Sequence, residues 1–304
     1  MEKTPFKTVI IIGYGDIGQR VAALWLEKGL DVYGVARSDE RRDQMLRQGV
    51  RPVQADLDGP CELSELPLGK SLLYWFAPPP PTGQTDPRMH KALTLMGDQR
   101  RPARIVAIST SGVYGDQQGR LVNEDTPPSP QVDRARRRLD MENQLRNWGE
   151  SHDIPVIILR VGGIYGPDKL PLARIRAGVP VLRPELSPHT NRIHADDLAN
   201  VCVAAASKPP SSRIYNVSDG QEADMTSYFY TLADFFGLPR PPAVDWAEAE
   251  RCISPGMLSY LRESRRLDTT RLHKELGIEF QYPCLEEGLA AMGGQYPGSK
   301  AEET

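Results

Sequence analysis

The chain has 304 residues, of which 39% are hydrophobic and 25% are charged, and its formal net charge is −3. This composition predicts a soluble globular protein with an ample core, and the charge gives no reason to expect nucleic acid or an anionic membrane surface as a partner. The four cysteines are far apart with no C-x-x-C pair, and no stretch approaches the roughly 20 apolar residues of a membrane helix, so we expect a cytoplasmic protein without a disulfide framework, a metal site or a membrane span.

The first predicted strand, residues 9–12, consists of four β-branched residues, which is typical of a strand that is buried on both faces. Glycines follow it with the spacing G-x-G-x-x-G, and an amphipathic helix begins at once. Strand, glycines and helix in this order predict that a pyrophosphate binds at the helix N-terminus. The predicted cofactor-binding residues of this loop are Gly13, Tyr14, Gly15, Asp16, Ile17 and Gly18.

The second predicted strand, residues 31–36, ends at Arg37 and Ser38. At this junction an acidic residue holds the ribose 2′-hydroxyl of NAD, whereas an arginine accommodates the 2′-phosphate of NADP. Arg37, with Arg41 and Arg42 a helical turn later, therefore favours NADP(H) over NAD(H). The alternative is that these arginines only form a solvated surface.

Two further strands are predicted at residues 53–57 and 71–77. Asp56 and Leu57 end the first of them, and Asp56 either lies near the adenine pocket or caps a helix. Ala77 ends the second strand, and four prolines follow it. We expect Asp56, Leu57 and Ala77 to contact the cofactor, because ligands bind at the carboxyl ends of parallel strands.

The alternation continues with a strand at residues 104–109, a helix at residues 133–148 and a strand at residues 156–161. The hydroxyls of Thr110 and Ser111 follow the first of these strands, where ligands of open α/β sheets bind. Strands that alternate with helices at this spacing predict a doubly wound parallel sheet of the Rossmann type.

The pattern becomes irregular after Pro167, where prolines interrupt it, and we interpret this region as a smaller substrate lobe. A helix is predicted to open at residues 193–198, with Asp196 or Asp197 as its cap. The predicted organisation is a dinucleotide-binding domain at 1–165, completed by elements around 193–217, a substrate lobe at 166–292 interleaved with it, and a disordered tail at 293–304.

Several short segments now combine into a recognisable pattern: the glycine loop, S-T-S-G-V-Y-G at 109–115, Y-G-P at 165–167, H-A-D-D at 194–197, Y-N-V at 215–217, and L-D at 267–268 followed by L-G at 276–277. In this order they resemble the extended short-chain dehydrogenase/reductases of the NAD-dependent epimerase/dehydratase family. The resemblance covers nearly the whole chain, and it is closest to an atypical bacterial subgroup, the YeeZ-like proteins.

The resemblance implies that Thr110 binds the substrate oxygen and that a Tyr-x-x-x-Lys pair follows on the next helix. The sequence lacks that pair. Aligning Glu142 with the glutamate that usually follows the lysine by four residues puts Arg138 at the lysine position and Arg134 at the tyrosine position. Arg138 can still bind ribose hydroxyls, whereas Arg134 cannot act as an acid/base at neutral pH because guanidinium does not deprotonate there.

No residue stands out as the replacement for the tyrosine. The literal Tyr-x-x-x-Lys at Tyr165 and Lys169 belongs to a loop, and we interpret it as coincidence. Ser111, Tyr165 and His194 are tentative substrate contacts, and His194 has a suitable intrinsic pKa, although a structural role fits its segment better. Asp133 either titrates usefully or simply begins a solvated helix.

The predicted function is that of an NAD(P)-dependent oxidoreductase or epimerase that acts by hydride transfer on a small polar substrate, such as a nucleotide sugar or a phosphorylated metabolite. The arginine run at 134–138 favours an anion pocket over nucleic acid, given the negative net charge. The alternative function is a non-catalytic, NADP(H)-sensing regulatory protein that has lost the catalytic pair. The family resemblance also implies a homodimer.

Overall fold

The computed structural model describes residues 6–59, 63, 65–97, 101–209 and 211–293. The tail predicted at 293–304 therefore lies, apart from Gly293, outside the described residues. No helix in the described ranges has both the length and the apolar character that crossing a membrane requires.

A parallel sheet of seven strands forms the centre of the molecule. Its order is β7-β6-β5-β4-β1-β2-β3, and every neighbouring pair is parallel. The strands are β1 (Thr8–Ile12), β2 (Asp31–Ala36), β3 (Arg51–Gln54), β4 (Leu72–Trp75), β5 (Arg104–Thr110), β6 (Val156–Val161) and β7 (Arg213–Val217). The strand order reverses between β1 and β4, which makes the crevice above this pair the expected ligand site. The predicted doubly wound Rossmann sheet is confirmed.

Helices cover both faces of this sheet. The helices of the chain are α1 (Asp16–Glu27), α2 (Asp39–Arg47), α3 (Pro87–Met96), α4 (Asp133–His152), α5 (Leu172–Arg176), α6 (Ala195–Ser207), α7 (Met225–Phe235), α8 (Trp246–Cys252), α9 (Pro255–Leu261), α10 (Thr270–Leu276) and α11 (Leu285–Met292). One face packs against α1, α6 and α10, and the other packs against α3 and α4. The β-branched side chains of β1 are buried toward both cores, as expected of a central parallel strand.

The region after Gly166 forms smaller cores of its own. Helices α5, α7 and α11 share one apolar cluster, and α8 and α9 share another. Short two-stranded ladders tie this region together and to the sheet domain: Leu121–Val122 with Arg266–Leu267, Gly163–Tyr165 with Arg192–His194, Val181–Leu182 with Ala243–Val244, and His189–Thr190 with Ala223–Asp224.

Two predicted strand boundaries need correction. The strand predicted at 53–57 is β3, at Arg51–Gln54, and it ends earlier because the carboxylate of Asp56 accepts a hydrogen bond from the Asp58 N–H and turns the chain. The strand predicted at 71–77 is shortened to β4, at Leu72–Trp75. Asp56 therefore caps no helix, which leaves the alternative that it faces the ligand crevice.

The cap of α6 also differs from the prediction. His194 is the N-cap, and its Nδ1 accepts a hydrogen bond from the Asp196 N–H at 3.2 Å. Asp197 is buried, and its two carboxylate oxygens accept hydrogen bonds from the N–H groups of Gln281 and Tyr282 at 2.7 and 2.9 Å. A buried carboxylate needs such partners, so Asp197 fastens the C-terminal segment to α6 instead of capping the helix.

Candidate active site

The first cleft of the candidate site lies at the carboxyl ends of β1, β2 and β4, above the N-terminus of α1. Its volume is about 520 Å³. All the residues predicted to bind the cofactor line it: Gly13, Tyr14, Gly15, Asp16, Ile17, Gly18, Arg37, Ser38, Asp56, Leu57 and Ala77. We call this the cofactor cleft.

The glycine loop packs as tightly as a dinucleotide-binding turn requires. Gly13 has a φ of +104°, and a Cβ there would lie 2.3 Å from the backbone nitrogen of Ala77. A Cβ at Gly18 would lie 2.7 Å from the carbonyl oxygen of Gly13, whereas a Cβ at Gly15 would meet nothing within 4 Å. Gly15 is also the N-cap of α1, and no side chain caps that helix. The free N–H groups and the open space at Gly15 fit a pyrophosphate.

Two of the three arginines on which the NADP(H) prediction is based, Arg37 and Arg41, line the rim of the cofactor cleft, whereas Arg42 does not. Arg37 is 70% exposed, and its Nη1 lies 3.9 Å from a carboxylate oxygen of Asp58. Ser38 is the N-cap of α2 and accepts a hydrogen bond from the Arg41 N–H. Asp58 is held instead by Arg88, whose Nε donates to it at 2.6 Å and whose hydrogen bond lowers the pKa of that carboxyl. Arg37 is therefore exposed at the rim, with its nearest carboxylate engaged by Arg88.

A second cleft of about 600 Å³ opens beside the first, between the sheet domain and the region after Gly166. Thr110, Ser111, Arg134 and Arg138 line it, together with residues from the ladder strands, α7 and α9. We call this the substrate cleft. Arg138 and Lys169 line both clefts, so they mark the junction between them.

Thr110 ends β5 and presents its hydroxyl at the substrate cleft. Its Oγ1 accepts a hydrogen bond from the Gly112 N–H at 3.1 Å, as the N-cap of a short 3-10 turn at Ser111–Tyr114. Because that bond uses a lone pair, the hydroxyl proton remains free to be donated to a ligand. Ser111 is 6% exposed and lines the same cleft.

The strand end that carries Thr110 rests on a buried ion pair. Arg160 donates to Glu142 with an Nη2–Oε2 distance of 2.8 Å, and the exposed fractions of the two side chains are 2% and 0%. Ser109 donates a hydrogen bond to the other carboxylate oxygen of Glu142. A buried pair with these extra bonds fixes β5, β6 and α4 relative to one another.

The arginines at the two positions of the usual catalytic pair have different partners. Arg138 donates to the carbonyl oxygen of Ile108 at 3.1 Å, and its burial lowers the pKa of the guanidinium. Arg134 donates to the Ser259 hydroxyl at 2.6 Å and lies over the ring of Tyr260, with 3.7 Å between Cζ and the ring centroid. Arg134 therefore contacts α9 and offers no group that can exchange a proton at neutral pH.

Three other predicted candidates lie outside both clefts. Tyr165 is fully buried and donates to the carbonyl of Cys284 at 3.1 Å. His194 is 3% exposed, packs between the rings of Tyr165 and Tyr282, and burial lowers its pKa. Asp133 accepts a hydrogen bond from Arg136 at the exposed start of α4. These contacts are structural, and none of the three side chains lines either cleft.

Several residues that line the clefts were not predicted from the sequence. Lys169, whose spacing from Tyr165 was interpreted as coincidence, lies at the junction of the clefts, and its Nζ is 3.4 Å from Asp16. The sequence feature that could have indicated this position is that Lys169 lies just after the Y-G-P segment. Arg192 and Arg265 line the substrate cleft from segments that carried no signal for it. The described residues contain no group of three or more His, Cys, Asp and Glu side chains that could hold a metal ion.

Comparison with known proteins is consistent with this architecture. Residues 76–218 match the sequence model of the family described as "NAD dependent epimerase/dehydratase family". Protein YeeZ of Escherichia coli strain K12 is 26% identical, over 91% of this chain and 97% of its own length. The predicted resemblance to this family, and to YeeZ within it, is confirmed.

Solved structures show the same fold. A conserved protein of unknown function from Silicibacter pomeroyi DSS is 27% identical and has a TM-score of 0.80, covering 95% of this chain and 99% of that one. The UDP-glucuronic acid 4-epimerase of Bacillus cereus, solved in complex with NAD, has a TM-score of 0.75 at 18% identity, covering 93% and 96%. At 18% identity, the similarity to the Bacillus cereus enzyme shows a shared fold.

Proposed function

We propose that this chain, as a relative of the NAD-dependent epimerases and dehydratases, is an oxidoreductase or epimerase that transfers hydride between a nicotinamide dinucleotide and a small polar substrate. The observation that carries the proposal is the junction of the two clefts at Arg138 and Lys169. A dinucleotide whose pyrophosphate binds at the glycine loop extends along the carboxyl edge of the sheet toward this junction. A substrate in the second cleft then lies beside its reactive end.

The residues of the cofactor cleft fit a dinucleotide at each of its parts. The open space at Gly15 and the uncapped N-terminus of α1 suit the pyrophosphate. Asp56 and Leu57 would flank the adenine, and Ala77 would approach the nicotinamide half. Arg138, held by the Ile108 carbonyl, would bind ribose hydroxyls in place of the usual lysine. A bound nicotinamide supplies or accepts the hydride.

Thr110 is the residue that we propose to act on the substrate. Its free hydroxyl proton can be donated to a substrate oxygen, which polarises the carbon–oxygen bond as charge develops on the oxygen. Arg138 and Lys169 add positive charge at the same end of the substrate cleft. Arg134 stands at the usual tyrosine position, and we assign it to the cleft wall through its contact with α9.

We propose that the cofactor is NADP(H) in preference to NAD(H). The exposed guanidinium of Arg37 and the cap hydroxyl of Ser38 adjoin Arg41 on the rim of the cleft, and all three line it. A guanidinium pairs with a phosphate by two parallel hydrogen bonds, which a ribose hydroxyl cannot match.

The test is a titration of the purified protein with NADPH and NADH, followed by nicotinamide fluorescence. We expect NADPH to bind at least about tenfold more tightly, since a charge-assisted hydrogen bond contributes about 1.5–3 kcal/mol. Arg37→Ala should remove most of that difference and leave NADH binding unchanged. Arg42→Ala is the matched control, because Arg42 is exposed on α2 and is not part of the cleft lining. Equal affinities would remove the NADP preference, and no binding of either would contradict the dinucleotide site.

A second candidate function is NADP(H) sensing without turnover. The observation in its favour is that the tyrosine position holds an arginine, which is not an acid/base group at neutral pH, and that Arg134 is bound to α9. The two functions differ in turnover, so a broad screen of carbonyl and alcohol substrates with NADPH and NADP distinguishes them. Sustained turnover that Thr110→Val reduces by about 100-fold, at unchanged NADPH affinity, would reject the sensor.

The remaining parts of the proposal concern the whole chain. We propose that residues 1–165, completed by elements around 193–217, form the dinucleotide-binding domain, and that residues 166–292 form the substrate lobe. The homodimer and the cytoplasmic location stay predictions, the first from the family resemblance and the second from the sequence.

A further inference from the structure

The walls of the substrate cleft carry an excess of positive charge. The basic side chains that line it are Arg134, Arg138, Lys169, Arg192 and Arg265, and His189 lies beside them. Glu263 is the one carboxylate in this lining, and it is already paired with Arg265. Lys169 has Asp16 as a partner at 3.4 Å, but the positive charges along this wall still outnumber the carboxylates that line it, so the cleft attracts anions.

Arg192 is a buried cation that is only partly compensated, because burial lowers the pKa of its guanidinium although the ring of Tyr228 and the charge of Asp219 oppose that shift. Its Nη2 donates to the Met225 sulfur at 3.2 Å, and its guanidinium lies over the ring of Tyr228, with 3.6 Å between Cζ and the ring centroid. Its buried Nε has no hydrogen-bond partner, and no carboxylate of the described ranges lies within 4.0 Å of it. A thioether and a ring face are weak partners for a guanidinium, which normally finds a carboxylate or phosphate when it is buried.

Gly163 lies in close contact with the end of the Arg192 side chain. A Cβ at Gly163 would lie 2.8 Å from Nη1 of Arg192, so a side chain at position 163 would displace the arginine. The neighbouring Asn191 accepts a hydrogen bond from the Leu267 N–H and donates one to the Arg265 carbonyl. This amide fixes the strand of Arg192 against the segment that carries Arg265.

Arg265 also has unused hydrogen-bonding capacity. Its Nη1 donates to the Gly115 carbonyl at 2.9 Å and to Glu263 at 3.0 Å, while its Nε is buried without a partner. Burial lowers the pKa of Arg265; Glu263 opposes this shift, and the charge of nearby Arg134 adds to it. Arg265 and Arg134 therefore repel each other, and an anion bound at Arg265 would weaken that repulsion.

The position of Arg192 gives the bound group an orientation. Arg192, His189 and Tyr228 also line a third cavity, next to the acidic residues Asp219 and Glu222, whereas Arg138 and Lys169 border the cofactor cleft. Arg192 thus lies at the end of the substrate cleft that is remote from the cofactor. A group held there leaves the reacting carbon at the end near Thr110.

We propose that the substrate is an organic anion whose carboxylate or phosphate ester is bound by Arg192, with Arg265 as the supporting cation, at the end of the substrate cleft remote from the cofactor. This inference rests on the proposed function, because it assumes that the second cleft holds the substrate. It assigns Arg192 to binding and leaves the chemistry to the junction of the two clefts.

The test is calorimetric titration of the NADPH-loaded protein with malonate, with glycerol 3-phosphate and with glycerol as the uncharged control. We expect malonate or glycerol 3-phosphate to bind and glycerol not to bind. Binding of malonate would indicate a carboxylate site, and binding of glycerol 3-phosphate would indicate a phosphate site. Arg192→Gln should weaken that binding at least tenfold, with NADPH affinity unchanged. Arg183→Gln, at an exposed arginine of the same region, is the matched control and should change neither.

A second variant keeps the charge and moves it. Gly163→Ala should push the Arg192 guanidinium from its place and weaken acid binding, which keeps the test valid if Arg192→Gln does not fold. The proposal is overturned if both acids bind no better than glycerol, or if their binding survives unchanged in Arg192→Gln or in a folded Gly163→Ala. Failure of NADPH to bind the wild type would instead overturn the proposed function.

Discussion

Asp219 is a half-buried carboxyl group whose protonation contributes to stability. Burial raises its pKa to about 6, and Arg192, together with the hydrogen bond from the Gln221 N–H, opposes that shift. In the unfolded chain the pKa is about 3.9. The folded state therefore binds the proton more tightly, so this carboxyl favours folding below pH 4 and loses that contribution as the pH rises through about 6.

Replacing the Asp219 carboxyl by an amide removes the charge and keeps an acceptor for the hydrogen bond. Asp219→Asn keeps an oxygen that can accept from the Gln221 N–H, and it removes the cost of a buried negative charge. We expect the variant to be more stable than the wild type at pH 8, with a difference in melting temperature that narrows below pH 6 and vanishes near pH 4. Thermal unfolding followed by circular dichroism across this range measures it.

The control for that prediction is an exposed aspartate. Asp234 pairs with Arg240, whose hydrogen bond lowers the pKa of that carboxyl, so Asp234→Asn should give no gain in stability at pH 8. A pH-independent difference between Asp219→Asn and the wild type would show that the raised pKa of Asp219 does not affect folding.

At the level of single residues, sequence reasoning worked where the neighbours of a residue are close in the chain. The residues of the glycine loop and Arg37 follow directly from strand ends, so their place in the cofactor cleft could be predicted. Arg192 and Lys169 could not be predicted as lining residues, because what surrounds them comes from distant segments such as Tyr228 and Asp16. Tyr165 shows the reverse case, since a familiar motif tyrosine is packed against α11 and does not line a cleft.

At the level of elements, the junction of β1 and α1 contains one glycine at which a side chain would clash and one at which it would not. Gly13 adopts a positive φ, and a Cβ there would clash with the Ala77 backbone. Gly13→Ala should therefore lower the free energy of unfolding by about 3 kcal/mol or more, from backbone strain and overpacking combined. Gly15 has a φ of −85° and open space around a Cβ, so Gly15→Ala should change stability by no more than about 1 kcal/mol.

The two glycine variants should also differ in cofactor binding. A methyl group at Gly15 occupies the space in which the pyrophosphate approaches the backbone, so we expect Gly15→Ala to weaken NADPH binding at least tenfold in a protein that unfolds normally. Urea unfolding and fluorescence titration measure the two effects separately. Unchanged NADPH affinity in Gly15→Ala would show that the dinucleotide does not cross this loop.

The elements also show where sequence patterns lose their predictive value. The strands of the central sheet could be predicted because each is an apolar run of several residues bounded by turns. The ladder between Leu121–Val122 and Arg266–Leu267 has two residues on each side, and the two segments are far apart in the sequence. Such a pair has no periodicity, and it forms only because the surrounding cores bring the segments together.

At the level of the whole molecule, the sheet domain is not continuous in sequence. β7 pairs with β6 along its full length, from Arg213 opposite Ile157 to Val217 opposite Val161. α6 covers the same face of the sheet as α1 and buries most of its apolar side. Both elements lie beyond residue 165, in the part of the chain that also builds the predicted substrate lobe.

This interleaving leads to a prediction about a fragment. A chain of residues 1–165 leaves β6, whose six residues are all buried in the full structure, as an open edge strand, and it leaves the apolar face under α6 uncovered. We expect the fragment to lack a cooperative thermal transition and to bind NADPH at least about 100-fold more weakly than the full chain. Circular dichroism and nicotinamide fluorescence of both proteins measure this. A cooperative transition with full NADPH affinity in the fragment would mean that residues 1–165 are a self-sufficient domain and that the second region is an addition to it. The expected result would mean that the cofactor cleft forms only once α6 and β7 are in place, so that the two clefts fold as one unit.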